Sequence, residues 1–245
     1  IALQGDIVDV LETRRIDVSA EVEVASLAEF GALLSNYDVA VPNVVLGTDI
    51  PLTLGAEVVG ALSDLDVGAI VMAGGGLLQA KGTLTQIDRA FEYDVYGDFT
   101  HSNIGDFLEI FWREPLPGFL KADAETAVDL HFNGGPTNFN WEGGIARGDL
   151  NIAGFGNYDA GENDMSFVIE HPDMPTFISE LGVNEGGSLS DGPIDFSVML
   201  RSGLDGIKIP DFAVTTPASD LHGNLIVDSM ADKQKLRGSF TSRNR

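Results

Sequence analysis

Four histidines are the first candidates for chemistry in this sequence. His101 and His171 each lie six residues before a phenylalanine, Phe107 and Phe177 respectively. Imidazole is a common zinc ligand, but no HxxxH pair and no nearby carboxylate triad has the spacing that zinc sites use. The sequence therefore favours a repeated strand-to-helix junction over a metal site, and we predict no metal ligands.

Acidic side chains are the second candidates, because 38 residues are Asp or Glu. Residues 159–164 form an Asn- and Gly-containing hairpin loop whose oxygen atoms could hold a hard cation. The ligand order of an EF-hand is absent, however, so a solvated turn is favoured over a calcium site. Glycosidases use a pair of carboxylates, but nothing in the sequence selects a pair from so many acids.

Motifs for nucleophilic or nucleotide chemistry are missing from the sequence. There is no GxSxG, P-loop or dinucleotide-binding glycine pattern. Gly74, Gly75 and Gly76 follow one predicted strand and open another, which indicates a hairpin, because a phosphate cradle would open a helix. We expect the aromatic residues to be core, with a ligand groove as the alternative. We predict no catalytic residue, no cofactor and no enzymatic activity.

The element that would position these side chains is a strand followed by a short helix, within Gly82–Phe111. Aromatic and aliphatic residues alternate with charged or polar ones from Phe91 to Phe99, the period of a strand with one apolar face. Helical spacing then begins, with Ser102 or Asn103 as the N-cap. The residues on the apolar side of this helix are Ile104, Phe107, Leu108 and Phe111.

The same pattern returns along the chain. The helical phenylalanines Phe30, Phe107 and Phe177 are spaced by about 70 residues, which indicates a stacked repeat. Gly82–Asn103 also aligns without gaps on Gly223–Asn244. The matching pairs are Gly82/Gly223, Leu84/Leu225, Ala90/Ala231, Gly97/Gly238, Phe99/Phe240, Thr100/Thr241 and Asn103/Asn244.

These patterns predict a mainly β fold of repeated antiparallel meanders, each with about five strands and a short crossing helix, forming an elongated curved sheet or groove. We expect one continuous elongated domain with four parts. Residues 1–47 would be the end of one repeat, with helix 26–35 and a linker, followed by repeats 48–117, 118–183 and 184–245, the last without its helix. In the third repeat we expect a single strand at Ile145–Phe155, and in the fourth separate strands at Gly206–Ile209 and Phe212–Thr216.

Composition sets limits on partners and compartment. The net charge of −24 should repel nucleic acid. The chain has no cysteine, which is compatible with an oxidising compartment. The longest apolar run, Val67–Ala80, is too short to span a bilayer. Because the chain opens without Met and stops where the next helix is expected, we expect a fragment of a longer protein.

The closing stretch, Gly203–Asn244, resembles the AsmA-like family of Gram-negative envelopes. The shared pattern is a G-x-L strand, preceded here by Ser219, Asp220 and Leu221, and followed by a G-x-F strand. The resemblance implies a repeating β-groove that shields phospholipid acyl chains and supports outer-membrane biogenesis. It also implies a periplasmic location, with an inner-membrane anchor that this fragment lacks.

Our leading hypothesis is therefore a non-enzymatic lipid-handling segment, partnered by phospholipid and by the rest of the parent chain. The alternatives are a structural or adhesive β-repeat module with a closed apolar core, and an acidic carbohydrate-active enzyme. Alternation alone selects the groove candidates, which are Leu52, Leu54, Val58, Phe91, Tyr93, Val95, Val128, Leu130, Phe132, Phe167, Ile169, Phe196, Val198 and Leu200.

Overall fold

The structure is a computed structural model that describes residues 2–8, 15–36, 49–87, 90–105, 108, 124–181, 191–203, 206–230 and 233–244. The chain divides into two compact units. Unit 1 comprises residues 1–116 and 120–129, and unit 2 comprises residues 117–119 and 130–245.

Strands account for most of the described residues. They are β1 (Ala2–Val8), β2 (Arg15–Val24), β3 (Leu52–Ala61), β4 (Asp64–Ala73), β5 (Gly76–Thr85), β6 (Glu92–His101), β7 (Thr126–Gly134), β8 (Asn138–Arg147), β9 (Leu150–Asp159), β10 (Glu162–His171), β11 (Ile194–Gly203), β12 (Gly206–Thr215), β13 (Ser219–Met230) and β14 (Lys233–Asn244). The helices are α1 (Leu27–Ser35) and α2 (Met174–Glu180).

Each unit is an antiparallel meander. In unit 1, β1 to β6 pair in sequence order. In unit 2, β8 to β14 do the same. Strand β7 crosses the boundary between the units at Asp129 and Leu130. The predicted fold class, mainly β with antiparallel meander connections, is confirmed.

Alternation of side chains explains why these segments form strands. In β6 the odd-numbered residues Tyr93, Val95 and Phe99 are half-buried and the even-numbered residues before His101 are exposed, as predicted. Strand β2 shows the same alternation, with its valines on the half-buried side. A period of two places each set on one face of a pleated sheet. The apolar face and the polar face of each unit follow directly from this period.

Two strand boundaries differ from the prediction. The single strand expected at Ile145–Phe155 is wrong, because the chain turns between Arg147 and Leu150, where Gly148 has φ 54°. The strands expected at Gly206–Ile209 and Phe212–Thr216 are one strand, β12, whose register with β13 shifts between Ile209 and Phe212. Pro210 lies in this interruption, where its lack of an N–H is tolerated.

The helices lie where the helical spacing placed them. Ser26 Oγ caps the start of α1 by accepting from Glu29 N–H at 3.2 Å, and Glu29 Oε2 accepts from the N–H of Ala25, the residue before the cap, at 3.2 Å. Asp173 caps α2 by accepting from Thr176 N–H at 3.2 Å. Ile104, Gly105 and Leu108 are helical, whereas Phe107 and Phe111 lie outside the described residues. Between one helical segment and the next, the described residues hold four strands (β3–β6 and β7–β10), where we expected about five.

The gapless sequence repeat does not preserve strand pairing. Gly82 lies opposite Val95 across β5 and β6. Its aligned counterpart Gly223 lies opposite Phe240 across β13 and β14. The loop between β5 and β6 is longer than the connection between β13 and β14, and loop length sets the register of a hairpin. The matching residues therefore lie in strands of similar sequence, but they have different partners on the neighbouring strand.

Few side chains are deeply buried. The buried apolar residues of the described chain are Leu52, Leu65, Leu150, Met174 and Ile194, and no large side chain is completely enclosed there. The apolar faces are therefore only partly withdrawn from water by the described residues.

Candidate functional site

The apolar face of unit 1 is built from rows of side chains that run across neighbouring strands. One row, the leucine row, contains Val22, Leu54, Val71, Leu78 and Phe99. A second, the valine row, contains Val18, Val58, Val67, Gly82 and Val95. Side chains directly opposite one another in a sheet lie close enough to pack. Each row is therefore a ridge of mostly aliphatic side chains.

Between these ridges lies a row of the smallest side chains, the small row: Ala20, Ala56, Ala69, Ala80 and Gly97. Ala69 is exposed although it lies on the apolar face. A Cβ added at Gly97 would meet only the Gln79 carbonyl oxygen, at 3.8 Å. Among the described residues, no side chain lies within 4 Å of such a Cβ at this end of the row. The small row is therefore the floor of a shallow furrow between two aliphatic ridges.

Ideal strand geometry gives the approximate size of the furrow. Five strands about 4.8 Å apart make it about 19 Å long, and four residue steps separate its ridges by about 13 Å along the strands. The alternation of hydrophobic residues predicted the face but not the furrow. The small row becomes visible only when the register of four strand pairs is known.

The groove candidates predicted in unit 1 share this face. Leu54 belongs to the leucine row, and Val58 and Val95 belong to the valine row. Leu52 is buried, and Tyr93 is half-buried at the other end of the same face. The Phe91 ring lies 5.9 Å from the Tyr93 ring.

The candidates in unit 2 also share one face. Their pairs Ile169–Phe196 and Phe167–Val198 lie directly opposite each other across β10 and β11, and Leu200 faces Met165 in the next row.

The candidates on β7 are less uniform. The Phe132 ring lies 6.2 Å from the Phe139 ring, on the apolar face of unit 2. Val128 is half-buried, whereas Leu130 is 38% exposed.

A row in unit 2 combines glycine with phenylalanine. This aromatic row contains Gly143, Gly154, Phe167, Val198, Phe212, Gly223 and Phe240. A Cβ on Gly154 would lie 2.8 Å from the Phe167 ring, and a Cβ on Gly223 would lie 2.6 Å from the Phe212 ring. The rings of Phe167 and Phe212 thus lie over the glycines opposite them, and the protein covers its own backbone at these points.

The polar face of unit 1 carries an open depression of about 710 Å³. Gly55 and Gly68 lie at its base, with Ile70 beside them. Charged side chains from four strands surround it, namely Glu21, Glu57, Lys81 and Asp98. Most of its lining lies on the opposite side of the sheet from Leu52, Leu54 and Val58. The lining also includes Met72 and four residues of the small row, Ala20, Ala56, Ala69 and Ala80.

The histidines at the strand ends make structural hydrogen bonds. His101 Nδ1 accepts from Asn103 N–H at 2.9 Å, so the ring hydrogen lies on Nε2, which donates to the Gly74 carbonyl at 2.8 Å. His171 Nδ1 likewise accepts from Asp173 N–H at 3.1 Å, and its ring lies 5.6 Å from the Phe177 ring. Both imidazoles are buried. Each histidine fixes the backbone where a strand gives way to a helix.

Within the described ranges, no group of three or more His, Asp or Glu side chains is arranged to hold a metal ion. None of the helices seen there is both long enough and apolar enough to cross a membrane. Comparison with protein-family models, with curated proteins and with solved structures finds no match.

Proposed function

We propose that this chain is a non-enzymatic lipid-handling segment whose apolar face holds phospholipid acyl chains. The observation that carries the proposal is the furrow of unit 1, an open row of small side chains between two aliphatic ridges. A sheet with one apolar face must cover that face with another layer or with an apolar ligand. An acyl chain laid along the small row would contact both ridges.

The composition of these rows favours a ligand whose binding free energy comes from buried apolar surface alone. Each methylene group moved from water to an apolar surface gains about 0.8 kcal/mol. No polar side chain belongs to the small row or to its ridges. Binding would therefore depend on chain length and discriminate poorly between head groups.

The resemblance of Gly203–Asn244 to AsmA-like proteins supports the same proposal. On this proposal the chain is part of a periplasmic protein that supports outer-membrane biogenesis and is anchored in the inner membrane by another part of the full-length protein. Phospholipid and the rest of the parent chain are then its partners.

A structural module with a closed apolar core is the competing function. Closure would bury most of the apolar face. In the described part of the chain, Leu78 remains 41% exposed in the leucine row, and Ala69 is exposed beside it. These exposures favour an open face.

The test compares two aspartates placed on adjacent residues of β5. Leu78→Asp puts a charge on the apolar face, and Gln79→Asp puts the same charge on the polar face, where Gln79 is exposed. Native mass spectrometry after incubation with phosphatidylethanolamine would measure the bound fraction. We expect Leu78→Asp to lower lipid occupancy about tenfold or more, because a buried charge is costly in an apolar contact, and Gln79→Asp to leave it unchanged.

Circular dichroism and thermal unfolding would establish that both variants fold. Equal occupancy in the two folded variants, or absence of lipid from the unmodified chain, would overturn the proposal.

A further inference from the structure

A second depression, of about 340 Å³, lies on the polar face of unit 2. Its lining includes Asn133, Asn140, Glu142, Phe155 and Asn157. Its volume is at the lower end of the range for small-molecule sites, which is about 300–1,000 Å³. It combines an aromatic ring with three side-chain amides.

Phe155 has an unusual position. It lies on the polar face of β9, between Gly154 and Gly156 in sequence, and is 62% exposed. Its cross-strand neighbours are Glu142 on β8 and Ser166 on β10. These neighbours cannot cover a phenyl ring with apolar surface, so one face of the ring is left for a ligand.

Two of the amides near the ring are hydrogen-bonded to each other. Asn140 Nδ2 donates to Asn133 Oδ1 at 3.1 Å, and Asn157 lies opposite Asn140 across β8 and β9. A side-chain amide offers both donors and acceptors. A sugar hydroxyl also donates and accepts, so a row of amides matches a row of hydroxyls.

The charged groups near the amides are paired with one another. Arg201 donates to Asp164 through Nε at 2.6 Å and through Nη2 at 3.2 Å, and this carboxylate raises the pKa of Arg201 above its ordinary value. Asp164 lies opposite Asn157. On the other side, His131 Nδ1 lies 3.2 Å from a Glu142 carboxylate oxygen. Glu142 also lines the depression, so its carboxylate meets a ligand together with the phenyl ring and the amides.

We propose that this depression binds a neutral saccharide. The C–H face of one pyranose ring lies against the Phe155 ring, and the hydroxyls at its edge hydrogen-bond to Asn140 and Asn157. The net charge of −24 disfavours an acidic glycan. Phe155 lies on the opposite face of β9 from Gly154 and Gly156, so its ring does not belong to the apolar face. Trp141 and Gly156, which belong to the apolar face, also contribute to the lining of the depression.

Saturation-transfer difference NMR on the complete chain tests the site, with maltohexaose, cellohexaose and chitohexaose as separate probes. We expect transfer to the ring C–H protons of at least one probe. Phe155→Ala should weaken binding about tenfold, the loss typical of an aromatic anchor. Asn140→Ala tests the amide row without altering the ring and should also weaken binding.

Phe240→Ala is the matched control, because Phe240 is 74% exposed and lies on β14, away from the depression. It should leave saccharide binding unchanged. The inference is overturned by absence of transfer to all three probes at millimolar concentration, by unchanged affinity in Phe155→Ala, or by an equal loss in Phe240→Ala. Tighter binding of an acidic oligosaccharide such as alginate would also overturn it.

Discussion

In unit 1 the middle of the apolar face is a row of alanines that ends in Gly97, whereas a row of unit 2 pairs glycine with phenylalanine. Two glycines of this row lie under rings, Gly154 under Phe167 and Gly223 under Phe212. At Gly97 of the small row, no described ring lies within 4 Å of an added Cβ. The small row and the aromatic row thus differ in whether aromatic rings lie over their smallest residues.

The difference between the two rows predicts that one contributes mainly to stability and the other mainly to binding. An aromatic ring over a glycine contributes packing within the protein, so the aromatic row should matter for folding. The small row lacks this ring-on-glycine packing, and the space above it is available to a ligand. We therefore expect substitutions in unit 2 to change stability and substitutions in unit 1 to change lipid occupancy.

The largest expected effect is the loss of a ring from the aromatic row. Phe167→Ala should destabilise unit 2 by about 3 kcal/mol, the lower end for removal of a packed phenylalanine. The matched change Leu78→Ala, at a side chain that is 41% exposed, should cost about 1 kcal/mol. Urea unfolding measures both, and hydrogen exchange locates the loss, because two units need not unfold together. Equal losses of unfolding free energy in the two variants would contradict the proposed difference between the rows.

A methyl group added to glycine should give the next largest effect. In Gly156→Ala the new Cβ would lie 2.6 Å from the Asp164 carbonyl oxygen and 2.7 Å from Trp141 Nε1. Overpacking of this kind costs about 2 kcal/mol.

Gly97→Ala in the small row is the control, with its nearest atom at 3.8 Å. Because alanine restricts the unfolded chain, this variant should be neutral or stabilised by about 0.5 kcal/mol. The urea midpoints of Gly156→Ala and Gly97→Ala measure this difference in stability. A destabilised Gly97→Ala would show that the furrow is not open there.

The helix caps should show no contrast between the units. Asp173→Ala removes the acceptor for Thr176 N–H in unit 2, and Ser26→Ala removes the acceptor for Glu29 N–H in unit 1. Each should cost about 1 kcal/mol, while Asp173→Asn, which keeps an acceptor, should cost less. Thermal unfolding measures the three variants. A much larger loss in one unit would mean that its helix contributes more than a local cap.

The smallest effect on stability is expected in the small row itself. Ala69→Leu adds an apolar side chain at an exposed position and should change the free energy of unfolding by less than about 0.5 kcal/mol. It should nevertheless lower phosphatidylethanolamine occupancy in native mass spectrometry, because it fills the furrow. Unchanged occupancy would mean that acyl chains do not lie along the small row.

The sequence predicted local structure well where side chains alternate. The period in β2 and β6 placed their apolar residues correctly, and the Gly74–Gly75 hairpin formed as predicted. The turn at Gly148 was missed although Gly-Asp is a two-residue hairpin signal. Apolar residues on both sides of this turn gave the appearance of one longer strand.

The sites were less predictable than the strands. The small row depends on the pairing of β2 to β6, and no residue in it is distinctive by itself. The exposure of Phe155 could have been predicted from the sequence, because its position places it on the opposite face of the strand from Leu150 and Ile152. The depression beside it could not be predicted, because Asn133, Asn140 and Asn157 come from three strands.

Photocrosslinking on β5 tests the central claim most directly. A benzophenone amino acid is placed at Leu78 on the apolar face or at Gln79 on the polar face, and the chain is irradiated with bound phosphatidylethanolamine. The account predicts lipid adducts at position 78 and few at position 79. Equal adducts at both positions, or adducts at position 79 alone, would contradict it.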